Sequence, residues 1–107
     1  MNRPITLFVV DDHALFREGL LRLLASDPLL TVVGSAESVD RAYDAIPATG
    51  VDVLILDYDL GEDNALSLVR RLRDRGFEGR ILLVTAGLPN HDALELVRLG
   101  ISGIVHK

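Results

Sequence analysis

The stretch LFVVDDHALF, residues 7–16, joins two structural periods through an awkward pair of charges. Its first four residues belong to an apolar run, Ile5 to Val10, rich in β-branched side chains, which reads as a buried strand. The run stops at two adjacent carboxylates, Asp11 and Asp12. From His13 onward apolar residues return at helical spacing. Residues 13–26 therefore read as a helix, with Phe16, Leu20 and Leu24 on one stripe and Leu21 and Leu23 beside it. Two like charges side by side repel, so a buried strand ending in Asp11-Asp12 calls for something that neutralises them.

Working outward, the same alternation fills the chain. Asp27-Pro28 closes the first helix, because proline cannot continue one. Leu30 to Ser35 is a second strand. Residues 38–46 form a short helix with Ser38 as N-cap and Pro47 as stop. Val51 to Leu56 is a third strand, running into Asp57-Tyr58-Asp59 and then a Gly-Glu-Asp-Asn loop. Residues 64–75 form a third helix with Leu66, Val69 and Leu72 inward, ended by Gly76. Arg80 to Thr85 is a fourth strand, Ala86 to Pro89 a loop, and Asn90 to Leu99 a fourth helix ended by Gly100. Ser102 to His106 is a fifth strand, followed by Lys107. This βαβαβαβαβ pattern predicts an α/β, doubly wound, five-stranded parallel sheet forming one domain over residues 1–107, for which the common strand order is 2-1-3-4-5. Near-continuous apolar strands such as VDVLIL and RILLV fit burial on both faces.

Composition narrows the function. The chain has 107 residues, 49% hydrophobic and 25% charged, which is an ordinary globular balance. A net charge of -5 disfavours direct binding to nucleic-acid phosphates, which needs clustered lysine and arginine. The absence of cysteine excludes disulfides and thiolate metal sites. The N-terminal apolar stretch is too short for a signal peptide, and no run approaches the ~20 residues of a membrane span. A soluble, cytoplasmic protein without a membrane partner is expected.

A parallel sheet places every strand's carboxyl end along one edge, where ligands bind. The polar residues finishing the strands are Asp11-Asp12, Asp57, Thr85 and Lys107. In the order 2-1-3-4-5 the first and fourth strands flank the third at ~4.8 Å. Asp57 then has two acids on one side and a hydroxyl on the other. Lys107, two strands away, can span most of the gap. Three carboxylates in one cleft repel and raise at least one pKa. A hard divalent cation such as Mg²⁺ removes that repulsion. One carboxylate can then act as a nucleophile toward a phosphoryl group, with Thr85 and Lys107 holding phosphoryl oxygens.

The segments VVDDH, LILDYDL, LLVTAG and GIVHK, at the ends of strands one, three, four and five, resemble the four signature segments of a response-regulator receiver domain. The resemblance covers the whole chain, and the segments are specific only in combination. DDHALFREGLLRLL is similar to the NarL/FixJ-like subfamily, whose receivers precede a LuxR-type helix-turn-helix domain. The resemblance implies that Asp57 is a phosphoacceptor served by a sensor histidine kinase. It implies that Asp11, Asp12, Asp57 and the backbone carbonyl of Asp59 hold Mg²⁺. It further implies that Thr85 and Lys107 contact the phosphoryl group and relay its arrival to helix four and strand five. On this reading the protein is a signalling module rather than a metabolic enzyme. It forms a homodimer when phosphorylated and reaches DNA only through a C-terminal domain outside this sequence.

Blander readings stand beside these. Asp11 and Asp12 would merely cap the first helix, Asp57 would be a loop acid, Thr85 would satisfy local backbone, and Lys107 would be a solvated charge. His13 is a helix-start residue rather than a metal ligand, and His91 and His106 are surface or packing residues. Asp59 and Glu62-Asp63 read as solvated loop acids; Asp59 is the exception, placed to affect metal affinity and hydrolytic water. The five arginines from Arg70 to Arg80, diluted by Asp74 and Glu78, read as a solvated helix face.

The sequence departs from the family pattern at Ile104, where an aromatic is usual, and at Asp59-Leu60-Gly61, where Met-Pro is usual. Gly61 should take a positive φ and give a more mobile loop. Right-handed crossovers leave only helix one on its face of the sheet. Strands three to five should then show a bare apolar face, which a fifth helix beyond this sequence would cover. The rival functional reading is a phosphorylation-independent, receiver-like interaction domain. A flavodoxin-like nucleotide binder is disfavoured, because no glycine-rich phosphate cradle follows the first strand.

Overall fold

The alternation read from the sequence is the one the chain adopts. A computed structural model describes residues 3–47, 50–61 and 63–107, with Asp63 described by its backbone alone. Glu62 and the side chain of Asp63, expected to be solvated, lie outside the described residues. The elements are β1 (Ile5–Val10), α1 (Ala14–Ala25), β2 (Leu30–Ala36), α2 (Val39–Ala45), β3 (Val53–Asp57), β4 (Asp59–Leu60), β5 (Asp63–Asn64), α3 (Ala65–Asp74), β6 (Arg80–Thr85), α4 (Asn90–Arg98) and β7 (Gly103–His106). The long strands form one parallel sheet in the order β2-β1-β3-β6-β7. Counting only those five, this is the expected order 2-1-3-4-5.

Two local differences have physical causes. The third strand begins at Val53 rather than Val51. The Asp52 amide donates to the Thr6 carbonyl, and its carboxylate accepts from the Thr6 amide and hydroxyl and from Arg3. Those ties fix the entry to the strand, while Val51 is buried without joining the ladder. The expected loop after Asp59 is a two-residue antiparallel pairing of β4 with β5. Gly61 turns the chain at φ +70°, a conformation that costs glycine little, and Leu60 is buried beneath it.

The sheet's two faces are covered unequally. On one, Phe8, Val10, Leu54, Leu56, Ile81 and Leu83 pack against α2, α3 and α4 in a single cluster. Leu66, Val69 and Leu72 of α3 point inward as expected, with Leu68 as well. On the other face Val9, Ile55 and Val84 form a smaller cluster, against which Leu20, Leu21, Leu24 and Val53 pack. The stripe of α1 is shifted from the expected one. Phe16 and Leu23 are exposed, and no residue of α1 is fully buried. Val105, paired with Val84 on the edge strand, is 46% exposed, whereas Ile55 and Val84 are buried, so the face expected to be bare from strand three to strand five is bare at the edge strand.

The helix ends explain most of the arginines. Ser38 caps α2 by accepting from the Arg41 amide. At α3 the Gly76 amide donates to the Arg73 carbonyl and the Phe77 amide to the Leu72 carbonyl, with Gly76 at φ +95°. That is a Schellman closure. At α4 the amides of Gly100 and Ile101 bond to Val97 and Leu96 in the same way. The Arg73 guanidinium joins the two ends, donating to the carbonyls of Leu99, Phe77, Gly79 and Gly100. Arg75 donates to the Tyr43 and Ile46 carbonyls, and Arg71 and Arg75 each lie about 4 Å from the Tyr43 ring centre. Arg70, Arg71 and Arg80 are exposed, as the expected solvated face requires, while the partly buried Arg73 and Arg75 tie the end of α3 to its neighbours.

Candidate functional site

The acidic pair at the end of β1 splits into one buried and one exposed residue. Asp11 is 1% exposed, and its Oδ1 accepts the His13 amide at 2.8 Å. Its main-chain carbonyl accepts from Arg17 of α1 at 2.6 Å. His13 takes the N-cap position of α1 without a side-chain cap bond, so Asp11 shapes the strand-to-helix turn and does not cap the helix. Asp12 is exposed.

One strand over, Asp57 ends β3 and is 3% exposed. Its Oδ1 accepts the Asp59 amide at 3.3 Å, and its Oδ2 accepts from Lys107 Nζ at 3.2 Å. Lys107 Nζ also lies 3.9 Å from Asp11 Oδ2, so one ammonium serves two buried carboxylates. The Lys107 backbone amide donates to the Thr85 carbonyl at 2.8 Å, which extends the β6–β7 ladder and aims the side chain across two strands. The ammonium sits 4.9 Å from the centre of the Phe16 ring, within cation–π range. This contact accounts for Phe16 standing at the rim rather than in the core.

Burial pushes the Asp57 carboxyl above its ordinary range, and the charge of Asp11 adds to that. The Lys107 ammonium and the Asp59 amide pull in the opposite direction. The expected rise in one carboxyl pKa is thus present, with desolvation ahead of repulsion as its cause. Asp11, Asp12 and Asp57 each bring a carboxylate oxygen to within 4.8 Å of the others. An all-oxygen donor set at that spacing fits a hard cation such as Mg²⁺.

The structure thus brings together Asp11, Asp12, Asp57 and Lys107. Asp59 is exposed, with its amide turned to Asp57. Thr85 is fully buried at the end of β6, but its hydroxyl donates to the Gly87 carbonyl at 2.8 Å and accepts the Gly87 amide at 3.0 Å. The blander reading of Thr85, a strand-end residue serving local backbone, describes this conformation. His91 and His106 are exposed.

One pair was not visible from the sequence. Tyr58, next to Asp57, is buried, and its hydroxyl donates to the buried carboxylate of Asp92 in α4. Burial, followed by the bond to Asp92 and its charge, pushes the Tyr58 hydroxyl up to about 12. Nothing in local spacing announces a contact between residues 34 apart.

Comparisons with known proteins agree with this geometry. The family described as the response regulator receiver domain matches residues 7–107. The DNA-binding transcriptional activator DevR/DosR of Mycobacterium tuberculosis is 40% identical over 103 residues, covering 96% of this chain and 48% of that protein. The nitrate/nitrite response regulator NarL of Escherichia coli K12 is 27% identical over 106 residues, covering 99% of this chain and 49% of that protein. The chain thus spans about half the length of these relatives. Among solved structures, a LuxR-family two-component response regulator from Aurantimonas superposes with a TM-score of 0.85 at 31% identity, over 97% of this chain and 74% of that one. No helix among the described residues is long and apolar enough to cross a membrane. With the strand order, the acidic cluster and the family match in agreement, the chain belongs to the response-regulator receiver family, of the NarL/LuxR type.

Proposed function

We propose that Asp57 accepts a phosphoryl group from a sensor histidine kinase in a Mg²⁺-dependent reaction. The observation that carries this is the buried Asp57 carboxylate at 3.2 Å from Lys107, with two further carboxylates around it. A carboxylate oxygen of Asp57 attacks phosphorus, the phosphorus–nitrogen bond of the donor phosphohistidine breaks, and its electron pair leaves with the imidazole. Asp11, Asp12, Asp57 and the backbone carbonyl of Asp59 would hold the ion, which offsets charge on the transferring group. Lys107 is already placed to follow the charge from Asp57 to the phosphoryl oxygens. Thr85 joins it only by giving up its bond to the Gly87 carbonyl.

We further infer that the phosphorylated chain, in the cytoplasm, dimerises and alters transcription. It would do so through a DNA-binding segment outside these 107 residues, since DevR/DosR is described as a DNA-binding activator. The domain itself is a phosphoacceptor and not a metabolic enzyme. The test is labelling with acetyl phosphate or beryllofluoride in Mg²⁺. Wild type should be modified or bound at Asp57, Asp57→Asn should not, and a folded wild type that takes neither refutes the reading. The rival, a phosphorylation-independent interaction domain, draws on Ile104 and on the closed Thr85–Gly87 turn. A Mg²⁺ titration followed by NMR separates the two, since the rival predicts no response at Asp11, Asp12 and Asp57.

A further inference from the structure

We propose that the hydrogen bond from Tyr58 to Asp92 is a latch that holds α4 to the phosphoacceptor segment in the unmodified state. The proposal rests on the phosphoacceptor reading of Asp57. Tyr58 follows Asp57 directly, and its backbone is pinned on both sides. Its amide donates to the Val84 carbonyl at 2.9 Å and its carbonyl accepts the Ala65 amide at 3.0 Å. The ring is 7% exposed within the main core, and the hydroxyl donates to Asp92. Asp92 is the third residue of α4, 9% exposed, with its other oxygen 3.1 Å from His91 Nε2.

The connection between β6 and α4 therefore has two polar ties. At its start, Thr85 and Gly87 bond reciprocally. At its end, Asp92 is fastened to the strand that carries Asp57. A phosphoryl group on Asp57 that takes the Thr85 hydroxyl hydrogen removes the bond to the Gly87 carbonyl and loosens the first tie. The second tie then decides whether α4 follows. Position 104 on β7, partly exposed, is an isoleucine with no hydroxyl to offer. Tyr58 instead carries an aromatic hydroxyl from the phosphoacceptor's own strand end to α4.

A bond made only in the unmodified state opposes modification, and coupling between two sites is reciprocal. Losing the latch must therefore favour the modified state. A hydrogen bond to a charged acceptor corresponds to roughly tenfold or more in an equilibrium constant. The experiment measures beryllofluoride affinity in saturating Mg²⁺ and the α4 amide shifts by NMR, for wild type, Tyr58→Phe and Asp92→Asn. Tyr58→Phe should bind about tenfold more tightly, with the amides of Asn90 to Val97 already displaced toward their bound positions before ligand is added. Asp92→Asn keeps an oxygen acceptor but loses the charge, so it should fall between the two, and it decides the matter if Tyr58→Phe does not fold. Affinity within twofold of wild type, or weaker, overturns the latch while leaving the phosphoacceptor reading intact. A wild type that binds no beryllofluoride refutes both.

Discussion

Replacing Lys107 with methionine removes the cation that faces the two buried carboxylates Asp57 and Asp11 while keeping a side chain of similar length. Stripping one partner from a fully buried ion pair costs about 3–5 kcal/mol. Lys107 keeps 29% of its side chain exposed, and solvent screening reduces the figure, so a loss of about 2 kcal/mol is expected at pH 7 without divalent cations. For a domain of this size that is a fall of about 8–16 °C in Tm.

The loss should depend on pH with a definite sign. The Asp57 carboxyl is held above its ordinary value in the folded chain, and losing Lys107 raises it further. A folded pKa above the unfolded one contributes stability that is complete below about pH 4 and disappears as pH rises through the folded value. The deficit of the variant should therefore be full at pH 7 and shrink toward zero on acidification. Asp52, held low by its hydrogen bonds to Arg3 and Thr6, loses those ties on acidification in wild type and variant alike, and so cancels from the difference. Added Mg²⁺ should stabilise the variant more than wild type, because the ion no longer competes with an ammonium for the same oxygens. Urea unfolding followed by circular dichroism, at pH 4 and 7 with and without Mg²⁺, measures all three effects. A Lys107→Met chain as stable as wild type at pH 7, or a deficit that ignores pH, would refute the electrostatic account.

Two further substitutions test the frame that carries the site. Arg73→Met removes four hydrogen bonds to carbonyls at the ends of α3 and α4, three of them part-buried and the one to Gly100 exposed, and should cost about 2–3 kcal/mol in urea unfolding, since the part-buried carbonyls lose their partners; a cost under about 0.5 kcal/mol would show that water replaces the guanidinium freely. Gly79→Ala should destabilise more than Gly34→Ala. A Cβ at Gly79 would stand 2.7 Å from the Val51 carbonyl oxygen as well as 2.4 Å from the Phe77 ring, whereas at Gly34 its three nearest atoms all belong to the Phe8 ring, the first at 2.6 Å; a side chain can shift by rotation and a backbone carbonyl cannot. Equal losses from the two in thermal melts would contradict that ordering.

The sequence carried the fold because both of its signals are local. Continuous apolar strands alternating with amphipathic helices name a doubly wound parallel sheet, and the chirality of crossovers then fixes which faces are covered. That logic puts Asp11, Asp12, Asp57 and Lys107 on one edge, and the bare face it expects over three strands is present at the edge strand, at Val105. Arg70 and Arg71 are exposed, as a solvated helix face requires, but Arg73 and Arg75 depart from it, because a charge's partner is invisible in one dimension. Arg73 and Arg75 bond to backbone carbonyls on other elements, and carbonyls leave no trace in side-chain composition. Phe16 was assigned to the core because helical spacing cannot tell a rim that faces a lysine from one that faces a valine. Thr85 was placed correctly at its strand end, yet the direction of its hydroxyl depended on the turn at Gly87.

What the sequence determined by itself is therefore the succession of strands and helices and the identity of the polar groups at the strand ends, since both follow from short-range periodicity. What only the tertiary structure decided is who neutralises whom: Lys107 shared between Asp57 and Asp11, Thr85 turned to Gly87, and Tyr58 bonded to Asp92 across 34 residues. Those pairings are set by side-chain reach and burial at the meeting of separate elements, and no spacing along the chain encodes them.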